Sequence, residues 1–198
     1  ANTSGVTLRQ YGIPAASDST ATDTDKDGVP DASEPAIVGA VKLGSGADTL
    51  DIENGVVNGD IDFGAGADKL NISGGAVVTG AIKNADGLLD INIGKGTLNA
   101  TQTGVVGVTS LNVGAEGTLL VTLDPATSAS GGFNVSGAAT LATGSTLGVR
   151  FASLLEGPER FDIITAGSLN VGQIDQSLLS GSSPYLYVVE GRVDQRHR

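Results

Sequence analysis

The chain has 198 residues, with 22 acidic against 11 basic side chains and a formal charge of −11. That balance excludes nucleic acid and anionic membrane as natural partners, because phosphate is neutralised by Lys and Arg, and it suits divalent cations. Thirty glycines, three tyrosines, four phenylalanines and no tryptophan or cysteine exclude a globule built on aromatic anchors or disulfides, so repeated backbone pairing or metal must hold the fold.

In chain order, residues 1–38 come first and read as an extended segment. The stretch Ser17-Asp18-Ser19-Thr20-Ala21-Thr22-Asp23 has little to bury, and Pro14, Pro30 and Pro35 punctuate what surrounds it. No apolar run is long enough for a membrane-spanning helix, and no basic-then-apolar leader opens the sequence; the chain is expected to be an excised mature region.

Within that segment lies Asp23-Thr24-Asp25-Lys26-Asp27-Gly28-Val29-Pro30-Asp31-Ala32-Ser33-Glu34. Calcium takes six to eight hard oxygens, and a twelve-residue loop offers them from its alternate positions and its last residue. Here they are Asp23, Asp25, Asp27, the carbonyl of Val29, Asp31 and Glu34, with Gly28 at the sharp turn. Pro30 lacks the N–H that paired helix-loop-helix hands exchange, and Pro35 disfavours an exit helix. The loop resembles a thrombospondin type 3 repeat, a helix-poor calcium loop in which Asp-Gly-Val-Pro-Asp is a common phrase. The bland alternative is an acidic linker.

Residues 39–151 change character to short alternating strands separated by glycine. Leu43-Gly44-Ser45-Gly46-Ala47-Asp48-Thr49-Leu50-Asp51-Ile52 aligns without gaps to Phe63-Gly64-Ala65-Gly66-Ala67-Asp68-Lys69-Leu70-Asn71-Ile72. Val56-Val57-Asn58-Gly59-Asp60-Ile61 recurs as Val77-Val78-Thr79-Gly80-Ala81-Ile82, and a looser third copy follows at Asn84–Ile91. Two sub-patterns sharing one period of twenty to twenty-one residues mark a repeat architecture. Leu50/Ile52, Ile61/Phe63, Leu70/Ile72 and Leu89/Ile91/Ile93 alternate with polar residues, as strands with one buried face do. A single coil of such strands cannot bury its inner face, so successive coils are expected to stack and pair in parallel. Asn54-Gly55, Asn58-Gly59 and Asp86-Gly87 serve as corners in this reading and as hairpin turns in the competing one. The Gly-x-Gly-x-Asp phrases ending in Asp48 and Asp68 echo the stacked calcium turns of toxin repeats. Without the nine-residue period, they read as solvent-facing corner aspartates. Pro125 and Ala126–Gly132 mark a loop leaving the stack.

Residues 152–190, with Leu154-Leu155, Phe161-Asp162-Ile163-Ile164, Leu178-Leu179 and Tyr185–Val189, have the texture of a cap on the open end of a stack. The tail 191–198 reads as disordered.

The stretches Val108–Leu119, Val135–Leu147, Phe161–Gly167 and Ser183–Tyr187 resemble autotransporter passenger sequence, from the stem and autochaperone region that precedes the membrane barrel. The resemblance covers about Leu43–Val189. It implies an all-β, right-handed parallel β-helix (a solenoid) with a C-terminal cap, exported to the extracellular face of a Gram-negative cell. Membrane contact would come only through a barrel absent from this chain.

Catalysis has little support in the sequence. The only histidine is His197, there is no cysteine, and no serine sits in a Gly-x-Ser-x-Gly elbow. Acid pairs such as Asp60/Asp62 lack the aromatic platforms that glycan cleavage usually needs. The sequence therefore predicts a structural, calcium-stabilised stem, not an enzyme, with adhesion to a host or cell-surface glycan or protein as an added role. The alternatives are a calcium-dependent extracellular binding or assembly module and a polysaccharide-active β-helix.

Overall fold

A computed structural model of the chain describes residues 3–16, 19–24 and 26–175. It is all-β, with parallel strands curled into a half-barrel. The strands fall into three ladders, each built by the same segment of successive units.

The first ladder runs β1 (Thr7–Gln10), β4 (Thr49–Ile52), β7 (Asp68–Ile72), the first half of β10 (Leu89–Ala100), the first part of β12 (Ser110–Asp124), the end of β14 (Phe133–Leu141) and the end of β16 (Ile164–Val171). Every junction is parallel, and Leu8, Leu50, Leu70, Ile91, Leu111, Ala139 and Leu169 stand in one register. The second ladder joins β2 (Ala36–Val38), β5 (Val56–Asn58), β8 (Ala76–Gly80), the second halves of β10 and β12, and β15 (Thr146–Phe151). The third contains β3 (Val41–Lys42), β6 (Ile61–Asp62) and β9 (Ile82–Lys83). Its counterpart further along joins β11 (Val106–Val108) to the first parts of β14 and β16. Between the two stretches side chains take over from backbone: the Ile82 N–H donates to Gln102 Oε1 at 3.1 Å, and Asn84 Nδ2 donates to the Gly107 carbonyl at 3.1 Å.

From β4 to β12 the period of twenty to twenty-one residues is thus the offset between paired strands, and it lengthens to 28 and 30 residues at β14 and β16. Leu50 meets Leu70 and Val56 meets Val77, as the repeat alignment predicts. The corner residues turn between parallel strands, which settles against the hairpin reading for Asn54-Gly55 and Asp86-Gly87. Their glycines hold positive φ, 70° and 80°, where an L side chain costs about 1–2 kcal/mol. The antiparallel pair among the described residues, Leu123 with Ser130 and Asp124 with Ala129, flanks a 3-10 turn at Pro125–Thr127. That is the loop expected to leave the stack.

Inward residues alternate with outward ones, so β7 buries Asp68, Leu70 and Ile72 and exposes Lys69. Leu50, Ile52, Ile61, Phe63, Leu70, Leu89, Ile91 and Leu98 are all essentially fully buried, and each large aliphatic contributes roughly 1.5–3 kcal/mol by leaving water. On the outer face of the first ladder, polar side chains bond across rungs: Asn71 Nδ2 to Asp51 Oδ1 at 2.7 Å, Ser110 Oγ to Asp90 Oδ1 at 2.6 Å, and Asn112 Nδ2 to Asn92 Oδ1 at 2.8 Å.

Within residues 1–38, β1 and β2 add a further rung to the first and second ladders. Of the segment expected to cap the stack, β16 pairs in parallel with β14. Residues 176–198, with Leu178-Leu179, Ser183–Val189 and the tail 191–198, lie outside the described residues.

Candidate metal centre

The loop from Asp23 to Glu34 sits at the β1–β2 end of the stack. Lys26 and Gly28 both hold left-handed conformations, φ 60° and 92°, and so curl the backbone around Asp23. Asp23 Oδ1 accepts the Asp27 N–H at 3.3 Å and Oδ2 accepts the Gly28 N–H at 3.0 Å. Asp27 Oδ1 accepts the Val29 N–H at 2.7 Å. Val29 is 4% exposed and packs against Gly12, where an added Cβ would lie 2.5 Å from Val29 Cγ2. The loop is therefore pinned to the stack by one apolar side chain and by an N–H from Ala15 to the Gly28 carbonyl at 2.8 Å.

The remaining loop acids are placed differently. Asp31 opens a 3-10 turn, Asp31–Ser33, and its carboxylate accepts the Thr24 hydroxyl at 2.6 Å and the Thr24 N–H at 2.8 Å. The Thr24 hydroxyl, followed by its N–H, holds the Asp31 carboxyl below the usual carboxylate range. Glu34 is extended, φ −65° and ψ 132°, as a residue before proline should be. The chain passes from it into β2 with no exit helix between, matching the reading of Pro35. Asp25 lies outside the described residues.

Among the described residues no three acidic or imidazole side chains come together as a metal-holding group. Carboxylates alone do not make this loop a cage. Oxygen donors of other kinds are close by. Asn54, 4% exposed at the corner between β4 and β5, donates from Nδ2 to Asp27 Oδ2, and its Oδ1 is buried without a partner. An unpartnered buried amide oxygen beside a two-aspartate turn fits a hard cation, which takes carboxylate and amide oxygens alike.

The two corner aspartates of the repeat depart from expectation. Asp48 and Asp68 are both fully buried. Each reaches back one unit to accept a backbone N–H, Val6 to Asp48 Oδ1 at 2.7 Å and Asp48 to Asp68 Oδ1 at 2.8 Å. A corner carboxylate that accepts the N–H of the unit before it must point into the stack. The second oxygens differ. Asp48 Oδ2 accepts the Gly44 N–H at 3.1 Å. In the next unit the equivalent Gly64 N–H goes to Asp62 Oδ1 at 3.1 Å, because Asp62 stands where the earlier unit has Lys42. Asp68 Oδ2 is left without a partner, next to Leu89, which pairs with Asp68 in register. Burial, and then the nearby Asp48 and Asp86 charges, raise the Asp68 carboxyl above its usual range, against the lowering effect of the Asp48 N–H.

Sequence reasoning took Asn54 for a turn former and did not place it beside the acidic loop. His197, the one histidine, lies outside the described residues. Comparison with protein-family models, with curated proteins and with solved structures finds no match for this chain.

Proposed function

We propose that this chain is a structural stem: a right-handed parallel β-helix of the autotransporter passenger type, exposed at the cell surface or secreted, whose N-terminal loop holds calcium. The observation that carries the reading is the first ladder, in which seven strands pair in parallel and keep their inward residues in one column. At the usual strand spacing they span roughly 29 Å. Such a ladder transmits position along its axis through backbone hydrogen bonds, and its function is reach and rigidity. The inward aliphatic column keeps it dry, and the acidic exterior keeps copies apart.

Calcium would be held by Asp23, Asp27 and neighbouring oxygens of the loop, and would neutralise carboxylates that otherwise repel one another. An isolated loop of this kind is expected to bind at roughly 10⁻⁴ to 10⁻³ M, the range of extracellular modules. Two measurements test the reading. Placed ahead of an outer-membrane barrel, the chain should display an N-terminal tag on the cell surface and remain protease-resistant. Calorimetric calcium uptake should vanish in the Asp23→Ala/Asp27→Ala double variant. A chain digested at the surface removes the stem, and equal uptake by parent and double variant reduces the loop to an acidic linker.

A further inference from the structure

We infer that Asn54 is a ligand supplied by the stack to the loop cation, so that cation binding clamps the N-terminal loop onto the first corner of the ladders. The inference rests on the calcium reading of the Asp23–Glu34 loop and assigns it a residue from outside the loop.

Asn54 is fixed from below. Gln10, the last residue of β1, donates from Nε2 to the Asn54 carbonyl at 2.7 Å and also reaches the Val56 carbonyl at 3.3 Å. From above it is roofed by Gly12, where an added Cβ would stand 2.8 Å from Asn54 Oδ1. The side chain is thus held at the seam between loop and stack, with Nδ2 toward Asp27 Oδ2 and Oδ1 enclosed without a donor. Leaving such an oxygen unsatisfied costs about 1–3 kcal/mol.

An amide carries a donor and an acceptor of nearly the same shape, exchanged by a half-turn about its last bond. With no cation present, Nδ2 toward Asp27 is the better state, since the half-turn would set Oδ1 against Asp27 Oδ2, oxygen against oxygen. A cation that binds both oxygens, which must part to admit it, reverses the preference. Asp27 is arranged for this: its Oδ1 is occupied by the Val29 N–H at 2.7 Å, which leaves Oδ2 directed at Asn54. Asp23, bonded to the N–H groups of Asp27 and Gly28, adds the second negative charge to the same turn. Calcium is the hard cation that accepts mixed carboxylate and amide oxygens in irregular geometry, whereas magnesium demands a tighter octahedron. A groove of about 240 Å³ connects this seam to solvent. The exposed Lys26 and Lys95 line it, and its carboxylate at Glu53 is already paired with Arg9 at 2.6 Å.

The test uses the full chain, titrated with calcium by calorimetry and with terbium, whose emission Tyr11 in the groove wall should sensitise. Asn54→Ala should weaken calcium binding by about tenfold or more, as loss of a supporting ligand group usually does. Asn54→Asp keeps the shape and adds charge, so it should melt lower than the parent in chelator and gain more from calcium. At a calcium concentration near the parent's Kd, calcium should slow proteolysis at Lys26 in the parent and in Asn54→Asp, and clearly less in Asn54→Ala. If Asn54→Ala binds calcium as the parent does while Asp27→Asn does not, the loop site stands and Asn54 is only a corner hydrogen bond. If Asn54→Ala does not fold, a calcium response in Asn54→Asp no larger than the parent's overturns the assignment. A parent that takes up no calcium ends both this inference and the calcium reading.

Discussion

Replacing Asp48 and Asp68 by asparagine, one at a time, is expected to move stability in opposite directions at neutral pH, although the two occupy equivalent corners. Asp48 accepts an N–H on each oxygen, from Val6 at 2.7 Å and Gly44 at 3.1 Å. An asparagine there must turn an Nδ2 donor onto one of those N–H groups, losing a charge-assisted bond and facing donor to donor, at a cost of about 2 kcal/mol. Asp68 keeps only the Asp48 N–H, on Oδ1 at 2.8 Å, while Oδ2 is enclosed without a partner. Asparagine preserves the first bond and removes a buried charge, so a net gain of about 1 kcal/mol is expected. For a chain of this size 1 kcal/mol corresponds to roughly 2–4 °C in Tm. The pH dependence follows from linkage. The Asp68 carboxyl titrates above its ordinary value of 3.8 in the folded chain, so the fold binds that proton more tightly than the unfolded chain does. Its contribution is fully present below the unfolded value and is lost as pH rises through the folded value. The advantage of Asp68→Asn over the parent should therefore be absent in acid and grow toward neutrality. Thermal unfolding followed by circular dichroism from about pH 3 to about pH 7 measures it. A lower Tm for Asp68→Asn at neutral pH, or a difference that ignores pH, would refute the account of this corner.

The register of the first ladder makes a second contrast. Ile91→Asp places a carboxylate at a position 1% exposed and should cost about 3–5 kcal/mol, whereas Asn92→Asp keeps its acceptor for Asn112 and should stay within about 0.5 kcal/mol; similar denaturant midpoints would remove the inward assignment. The corners give a third. At Gly64 the φ is +73° and an added Cβ would lie 2.0 Å from the Gly44 carbonyl oxygen, whereas at Gly87 the φ is +80° with nothing within 4 Å. Gly87→Ala should therefore cost about 1–2 kcal/mol from backbone strain alone, and Gly64→Ala clearly more, measured by the same unfolding curves.

The stack was legible in the sequence because its cause is local and repeated. Leu50/Leu70 and Val56/Val77 are like residues at one offset, and parallel in-register pairing turns that offset directly into contact. The burial of the corner aspartates was not legible. A carboxylate between glycines reads as a solvated turn until the N–H it accepts is known, and those donors, Val6 for Asp48 and Asp48 for Asp68, belong to another unit. Nor does sequence alone show why Asp68 lacks the partner that Asp48 has. That depends on Asp62 competing for the Gly64 N–H, three strands of context in one hydrogen bond. Of the acidic loop, spacing foretold the turn at Gly28 and the extended Glu34, while Asn54 was hidden because it approaches from a part of the chain 27 residues beyond Asp27.

In-register pairing also governs how such a chain changes length. Ile72 and Ile93 are register partners, so excising residues 73–93 joins two positions that already face the same way. Each ladder loses one rung, its inward and outward columns remain aligned, and the molecule shortens by about 4.8 Å. A cut that does not run between register partners would shift every later side chain out of its column. Growth and loss are therefore quantised in whole units, and the distance this chain spans is a count.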